Sequence, residues 1–156
     1  MVDQTKLSFL KSNFPQLLRK LKGDEKPQWG VLNPQQMIEH FGESVMLASG
    51  RVQIPLMADK EKLPALKAFV MSDKEFKPGT KNPIMKDVPA PVKFDSIETA
   101  IQKLEKAISI FDETWKIKSE SDYILNPFFG ELNFEEQVQL LHKHARHHLK
   151  QFGLIE

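Results

Sequence analysis

The chain has 156 residues, 40% hydrophobic and 28% charged, which fits one soluble domain covering 1–156 and hardly two. Its 22 basic and 21 acidic residues are mixed along the chain and leave a net charge of +1, which argues against a nucleic-acid partner bound through bulk charge. There is no cysteine, so disulfides, thiolate ligation and a cysteine nucleophile are excluded, and any metal must be held by histidine nitrogen or carboxylate oxygen.

The opening stretch, Met1-Val2-Asp3-Gln4-Thr5-Lys6-Leu7, lacks the basic-then-apolar run of a signal peptide. No apolar stretch approaches the roughly 20 residues of a membrane span. The expectation is a cytoplasmic protein with no membrane partner.

From about Gln4 to Leu21, Leu7, Leu10, Phe14, Leu17, Leu18 and Leu21 recur at steps of three and four, the period of a helix with one buried face. Pro15 lies inside that pattern and predicts a kink or two pieces. Gly23-Asp24-Glu25-Lys26-Pro27 is turn chemistry. A second helix begins with Asn33 as its cap, Pro34 as first residue and Gln36 at the capping-box position, and runs to about Ser49 with Gly50 as its stop. Its apolar stripe is Met37, Ile38, Phe41, Val45 and Ala48.

Between Arg51 and Phe94 the character changes. Six of the ten prolines fall here (Pro55, Pro64, Pro78, Pro83, Pro89, Pro91), and only residues 63–72 suggest a short helix. A connection this long in a compact domain is commonly a lid or cleft wall. Ile54, Leu56, Met57, Phe69, Val70 and Phe76 predict that it packs against the body.

The third helix opens at Asp95 or Ser96, with Glu98 placed to complete a capping box from Asp95. Ile97, Ile101, Leu104, Ile108, Phe111 and Trp115 then form the strongest amphipathic stripe in the chain. Residues from Tyr123 to Gly130 read as a loop. The fourth helix takes Asn133 as cap and Glu136 as its box partner and continues to Phe152. No strand alternation stands out. The expectation is all-α, a four-helix bundle with one long proline-rich crossover between helices 2 and 3.

Four of the five histidines lie in the fourth helix, and the fifth is His40 in the second. Helical residues advance by about 100° each, so the faces they occupy follow from spacing. Relative to Ala145, the buried stripe Phe134, Val138, Leu141, Leu149 and Phe152 falls within about 40° of zero. His148 lies near −60° and His144 near −100°, roughly, on one flank of that stripe. His142 lies about +60° away on the other flank, and His147 points outward at roughly 200°. His144 and His148 are spaced i, i+4, which lets two imidazoles converge on one ion. Relative to Phe41, His40 falls at about −100° on helix 2 and also flanks the core.

Depth gives a second test. At about 1.5 Å of rise per residue, His40 is roughly 10 Å from the start of its helix, and His144 and His148 average roughly 9 Å from the end of theirs. The three share one level only if helices 2 and 4 run antiparallel. The 51–94 connection is long enough to permit that order by letting helices 2 and 3 run parallel. His40, His144 and His148 are therefore the candidate metal ligands, and His142 and His147 are set aside as structural or surface residues. Gln36 and Gln151, on the same flanks, are candidates to orient a ligand ring or a water.

Trp29-Gly30 followed by Asn33 and Gln36-Met37-Ile38-Glu39-His40, then Asn126-Pro127-Phe128-Phe129-Gly130, then His144-Ala145-Arg146-His147-His148-Leu149-Lys150-Gln151-Phe152-Gly153, resembles the DinB/YfiT-like superfamily of metalloenzymes. The likeness is greatest to a branch catalogued only as a domain of unknown function, and it covers essentially the whole chain. It implies an up-down-down-up four-helix bundle, with a metal bound by one histidine of helix 2 and two of helix 4, which map onto His40, His144 and His148. The branch often carries a histidine where this chain has Asn126, so any substrate role of that histidine is in doubt here.

Three imidazoles leave a fourth position on a tetrahedral ion, the arrangement of catalytic rather than structural sites. Zinc or nickel suits such ligands, and so does iron. A divalent metal ion there can activate water for hydrolysis, or a thiol or hydroxyl for transfer. The resemblance implies thiol-dependent transferases, isomerases and hydrolases among relatives, which points to a small-molecule substrate and to a low-molecular-weight thiol as co-substrate. No residue stands out as catalytic base, since Glu39 and Glu43 fall on the far side of helix 2. A non-catalytic ligand-binding or oligomerising bundle with a vestigial metal site is the alternative, and a homodimer is compatible with either.

Overall fold

The structure, a computed structural model, describes residues 2–80 and 88–156. The stretch 81–87 of the crossover, with Pro83, lies outside the described residues. Among the described residues the chain is mostly helical, with one small two-stranded sheet.

Helix α1 is built of three consecutive segments, Gln4–Ser8, a π-helical Phe9–Asn13, and Phe14–Leu18. Asp3 caps it by accepting from the Lys6 N–H at 3.1 Å. The interruption expected from Pro15 takes the form of the π segment just before it. Proline has no N–H to continue the ladder, and the wider turn lets the Phe14 N–H reach back to the Phe9 carbonyl.

Helix α2 (Pro34–Ala48) has the expected capping box, with Asn33 Oδ1 accepting from Gln36 N at 2.8 Å and Gln36 Oε1 from Asn33 N at 2.9 Å. It ends at Ser49, followed by Gly50 at φ +74°. Within the crossover a short 3₁₀ turn, Lys60–Lys62, leads into α3 (Leu63–Met71).

Helix α4 (Ile97–Lys116) opens at one of the two expected caps, without the capping box expected from Asp95. Ser96, not Asp95, is the cap, its hydroxyl accepting from Thr99 N at 3.0 Å. Glu98 is drawn away from any box by the Arg19 guanidinium, which also holds Glu105.

The loop expected at Tyr123–Gly130 is instead largely a hairpin, with β1 (Ile124–Asn126) antiparallel to β2 (Gly130–Leu132) and Asn126 opposite Gly130. Three-residue strands are too short for alternation to show in the sequence. The turn is specified locally: Asn126 Oδ1 accepts from the N–H groups of Phe128 and Phe129, at 2.9 and 3.1 Å. Helix α5 (Phe134–Gln151) then starts from the Asn133–Glu136 capping box, both of whose bonds form.

All the predicted stripes point into one core. Phe14, Met37, Ile38, Phe41, Val45, Ile101, Val138, Ala145 and Leu149 are completely buried in it. Each large aliphatic or aromatic side chain so buried contributes about 1.5–3 kcal/mol of transfer free energy. Polar contacts mark the pairing of the helices. Gln35 Nε2 donates to the Phe94 carbonyl at 2.7 Å beside the N-terminal ends of α2 and α4. At their C-terminal ends Trp115 donates to the Ala48 carbonyl. Near the start of α1, Lys6 Nζ donates to Gln139 of α5 at 2.6 Å, and Lys11 pairs with Asp112 of α4.

A second, smaller core of Val70, Leu132 and Leu140, flanked by Phe76 and Phe129, binds α3 and the hairpin to α5. From it a strap, residues 72–76, crosses α5. Lys143 Nζ donates to the Ser72 carbonyl at 2.9 Å and to that of Lys74, Arg146 Nε donates to Glu75 at 3.0 Å, and Lys150 also pairs with Glu75. Positions 143, 146 and 150 follow one helix face, so a basic stripe on α5 holds the strap.

Candidate metal centre

His40, His144 and His148 come together between α2 and α5. Each offers a ring nitrogen, and the three atoms lie within 4.8 Å of one another. The ring centroids of His40 are 5.4 Å from those of His144 and 5.6 Å from those of His148, and the His144–His148 pair is 4.6 Å apart. His148 is buried and the other two are half-buried. Two features of the sequence place them: the i, i+4 spacing on α5, and the burial of Phe41, Ala145 and Leu149, which seats both helices on the core beside their histidines. Phe41 forms one wall, its ring 4.9 Å from that of His144.

Burial sets the charge of the cluster. It holds the His144 imidazole well below its ordinary pKa, with the neighbouring histidines adding to the effect. His148 is lowered to about 3 by burial and then by His40, against an opposing hydrogen bond to Gln151. His40 is lowered by burial, with Glu43 opposing. All three are therefore neutral at pH 7, the form in which imidazole ligates a cation. Within the cluster, His144 Nε2 and His148 Nε2 are hydrogen-bonded at 2.8 Å. A donor set of three neutral imidazoles on two helices could hold a metal ion.

The two glutamines differ. Gln151 lies against the site, its Oε1 2.7 Å from His148 Nδ1. The Gln36 side chain is engaged in the α2 capping box and with the Ala90 carbonyl at 3.1 Å. Glu39 and Glu43 face the end of the crossover. Glu39 accepts from the N–H groups of Lys93 and Phe94, and Glu43 pairs with Lys93 Nζ. Asn126 turns its side chain into its own hairpin.

Helical angles alone missed two neighbours, because the chain that covers them comes from outside the helices. His147, pointing away from the bundle core, is half-buried. The Trp29 indole N–H donates to its Nε2 at 3.4 Å. Phe76, carried by the strap, places its ring 6.4 Å from His144 and 5.9 Å from His147. Its apolar character in a lid-like segment was the only sequence signal.

Comparisons of the chain with protein-family models, curated proteins and solved structures return no match.

Proposed function

We propose that the chain is a metal-dependent enzyme acting on a small molecule, of hydrolase or thiol-dependent transferase type, with His40, His144 and His148 holding the ion. The observation that carries this reading is the convergence of three neutral imidazoles from two helices within 4.8 Å. A divalent ion held by three imidazoles supplies Lewis acidity to a fourth ligand, water for hydrolysis or a thiol or hydroxyl for transfer. The protein's part is to keep the imidazoles unprotonated, to orient them, and to wall the site with Phe41 and Phe76.

The same reading takes the fold as an up-down-down-up bundle of the DinB/YfiT-like kind. The end-to-end contacts of α2 with α4 support it, as do those of Gln28 and Trp29 with Gln151 at the end of α5. It takes the crossover as a lid, supported by the strap across α5.

Metal analysis of protein purified without a histidine tag tests the proposal. About one equivalent of zinc, nickel or iron, lost in His144→Ala, is expected. Metal at the level of His144→Ala in the wild type would sink it. A second reading, a non-catalytic ligand-binding or oligomerising bundle with a vestigial site, draws on the engagement of Glu39 and Glu43 elsewhere, which removes the nearest carboxylates in sequence as bases. Stoichiometric metal without turnover on a panel of esters and thiol acceptors would favour it.

A further inference from the structure

The Trp29-Gly30 turn precedes α2 and contributes no ligand, yet it is fastened to the last turn of α5 at several points. Gln28 N–H donates to the Gln151 carbonyl at 2.8 Å, and Gln151 Nε2 donates to the Trp29 carbonyl at 2.9 Å. Gly30 has φ +79°, and a Cβ there would sit 3.0 Å from Gln151 Nε2.

A carbonyl oxygen only accepts, so the Trp29 carbonyl requires the NH₂ end of the Gln151 amide to face it. The amide oxygen is then turned toward His148 Nδ1, 2.7 Å away. That oxygen also only accepts, so the proton of the neutral imidazole must sit on Nδ1. His148 Nε2 is left with a bare lone pair facing His40 and His144, and the 2.8 Å contact between the two Nε2 atoms is donated by His144.

We infer that Gln151 is a positioning residue that relays the fixed polarity of the Trp29 carbonyl to His148, locking its Nδ1–H tautomer and presenting Nε2 as an acceptor to the cluster. The inference rests on the metal-site reading for its purpose, but its geometry is complete in the metal-free chain. Partners of this kind, one step removed from a metal ligand, commonly contribute 10- to 100-fold, roughly, in metal affinity.

Long-range ¹H–¹⁵N NMR of the full chain, labelled on histidine nitrogen and stripped of metal at pH 7.5, reads the tautomer directly. The wild type is expected to show His148 protonated on Nδ1 and bare on Nε2. Gln151→Leu removes the acceptor and is expected to populate the Nε2–H form, while Trp29→Phe keeps the backbone carbonyl and leaves the tautomer unchanged. Zinc titration is expected to show about 10- to 100-fold weaker binding for Gln151→Leu. A wild-type His148 protonated on Nε2, or an unchanged tautomer in a folded Gln151→Leu, overturns the relay. Should that variant not fold, the wild-type spectrum alone decides. An Nδ1–H wild type that binds no zinc upholds the relay and overturns the metal reading.

Discussion

Trp115 and Ala48, 67 residues apart in the chain, are joined by a buried hydrogen bond from the indole Nε1 to the carbonyl oxygen at 3.0 Å. The bond satisfies a carbonyl in the last turn of α2, where no further N–H of the helix can reach it, and ties that end to α4. The Trp115 ring also stacks on Phe134 at the start of α5, nearly parallel and 5.4 Å away. Trp115→Phe leaves the Ala48 carbonyl without this partner and opens a small void. We expect a loss of about 1–3 kcal/mol, read as a lower urea midpoint. An unchanged midpoint would show that water replaces the indole at no cost.

The neutral histidines predict an acid-sensitive fold. In the unfolded chain a histidine titrates near an ordinary pKa of about 6.5, whereas folded His148 titrates at about 3. Between those values the unfolded state binds more protons, so stability is fully present above about 6.5 and declines as pH falls. One histidine contributes a slope of up to about 1.4 kcal/mol per pH unit. His40 and His144 are shifted in the same direction and steepen it. Urea titrations of metal-free protein at pH 7, 6 and 5 are expected to show the decline, and His148→Gln a shallower one. The lowered carboxylates Glu75, Glu105 and Asp112 begin to lose their contribution only below about pH 5, so the decline between pH 7 and 5 is carried by the histidines.

Gly30→Ala places a side chain at positive φ and against the Gln151 amide. The backbone term alone is about 1–2 kcal/mol, or roughly 3–6 °C in melting temperature for a domain of this size. Differential scanning calorimetry checks it. Gly79→Ala is a useful control, since its φ is also positive but, among the described residues, nothing lies within 4 Å of the added Cβ. A larger drop at position 30 than at 79 isolates the contact with Gln151.

Glu75 is the ionic fastening of the strap, its carboxylate held below the usual range first by Lys150 and also by Arg146. Exposed pairs of this kind contribute about 0–1 kcal/mol. Glu75→Gln is therefore expected to leave the global urea midpoint nearly unchanged while speeding amide hydrogen exchange at residues 72–76. High salt should speed the wild type toward the variant. Exchange unaffected by both changes would assign the strap's hold to Lys143 and the Phe76 packing alone.

Legibility in the sequence followed the range of the interactions. Asn33 and Asn133 cap helices through partners three residues away, so both capping boxes could be read directly. The apolar stripes were readable because every residue of a stripe reports the same face. Ser96 and Asp95 are adjacent candidates for one cap, and Glu98, the box partner expected for Asp95, is held instead by Arg19, distant in sequence. The hairpin was hidden because its strands are three residues long. For the site, helical spacing picked out His40, His144 and His148, which do converge. The cover over them was not legible at residue level. Trp29 and Phe76 reach His147 from segments without periodicity, and Gln36 was already occupied by its own cap.

Helices α2 and α4 meet at both pairs of like ends, through Gln35 with the Phe94 carbonyl and Trp115 with the Ala48 carbonyl. A chain leaving the 15-residue α2 must therefore travel back by about 22 Å before α4 can begin. The return carries residues 72–76 over α5 beside His144 and His147, so the same segment that closes the topology also borders the histidines. Substitutions or changes of length within that segment can therefore alter the border of the imidazoles while leaving both helices and their caps intact. The histidine cluster and the cover beside it are in this way written on separate parts of the chain, the first on α2 and α5 and the second on the segment that joins α2 to α4.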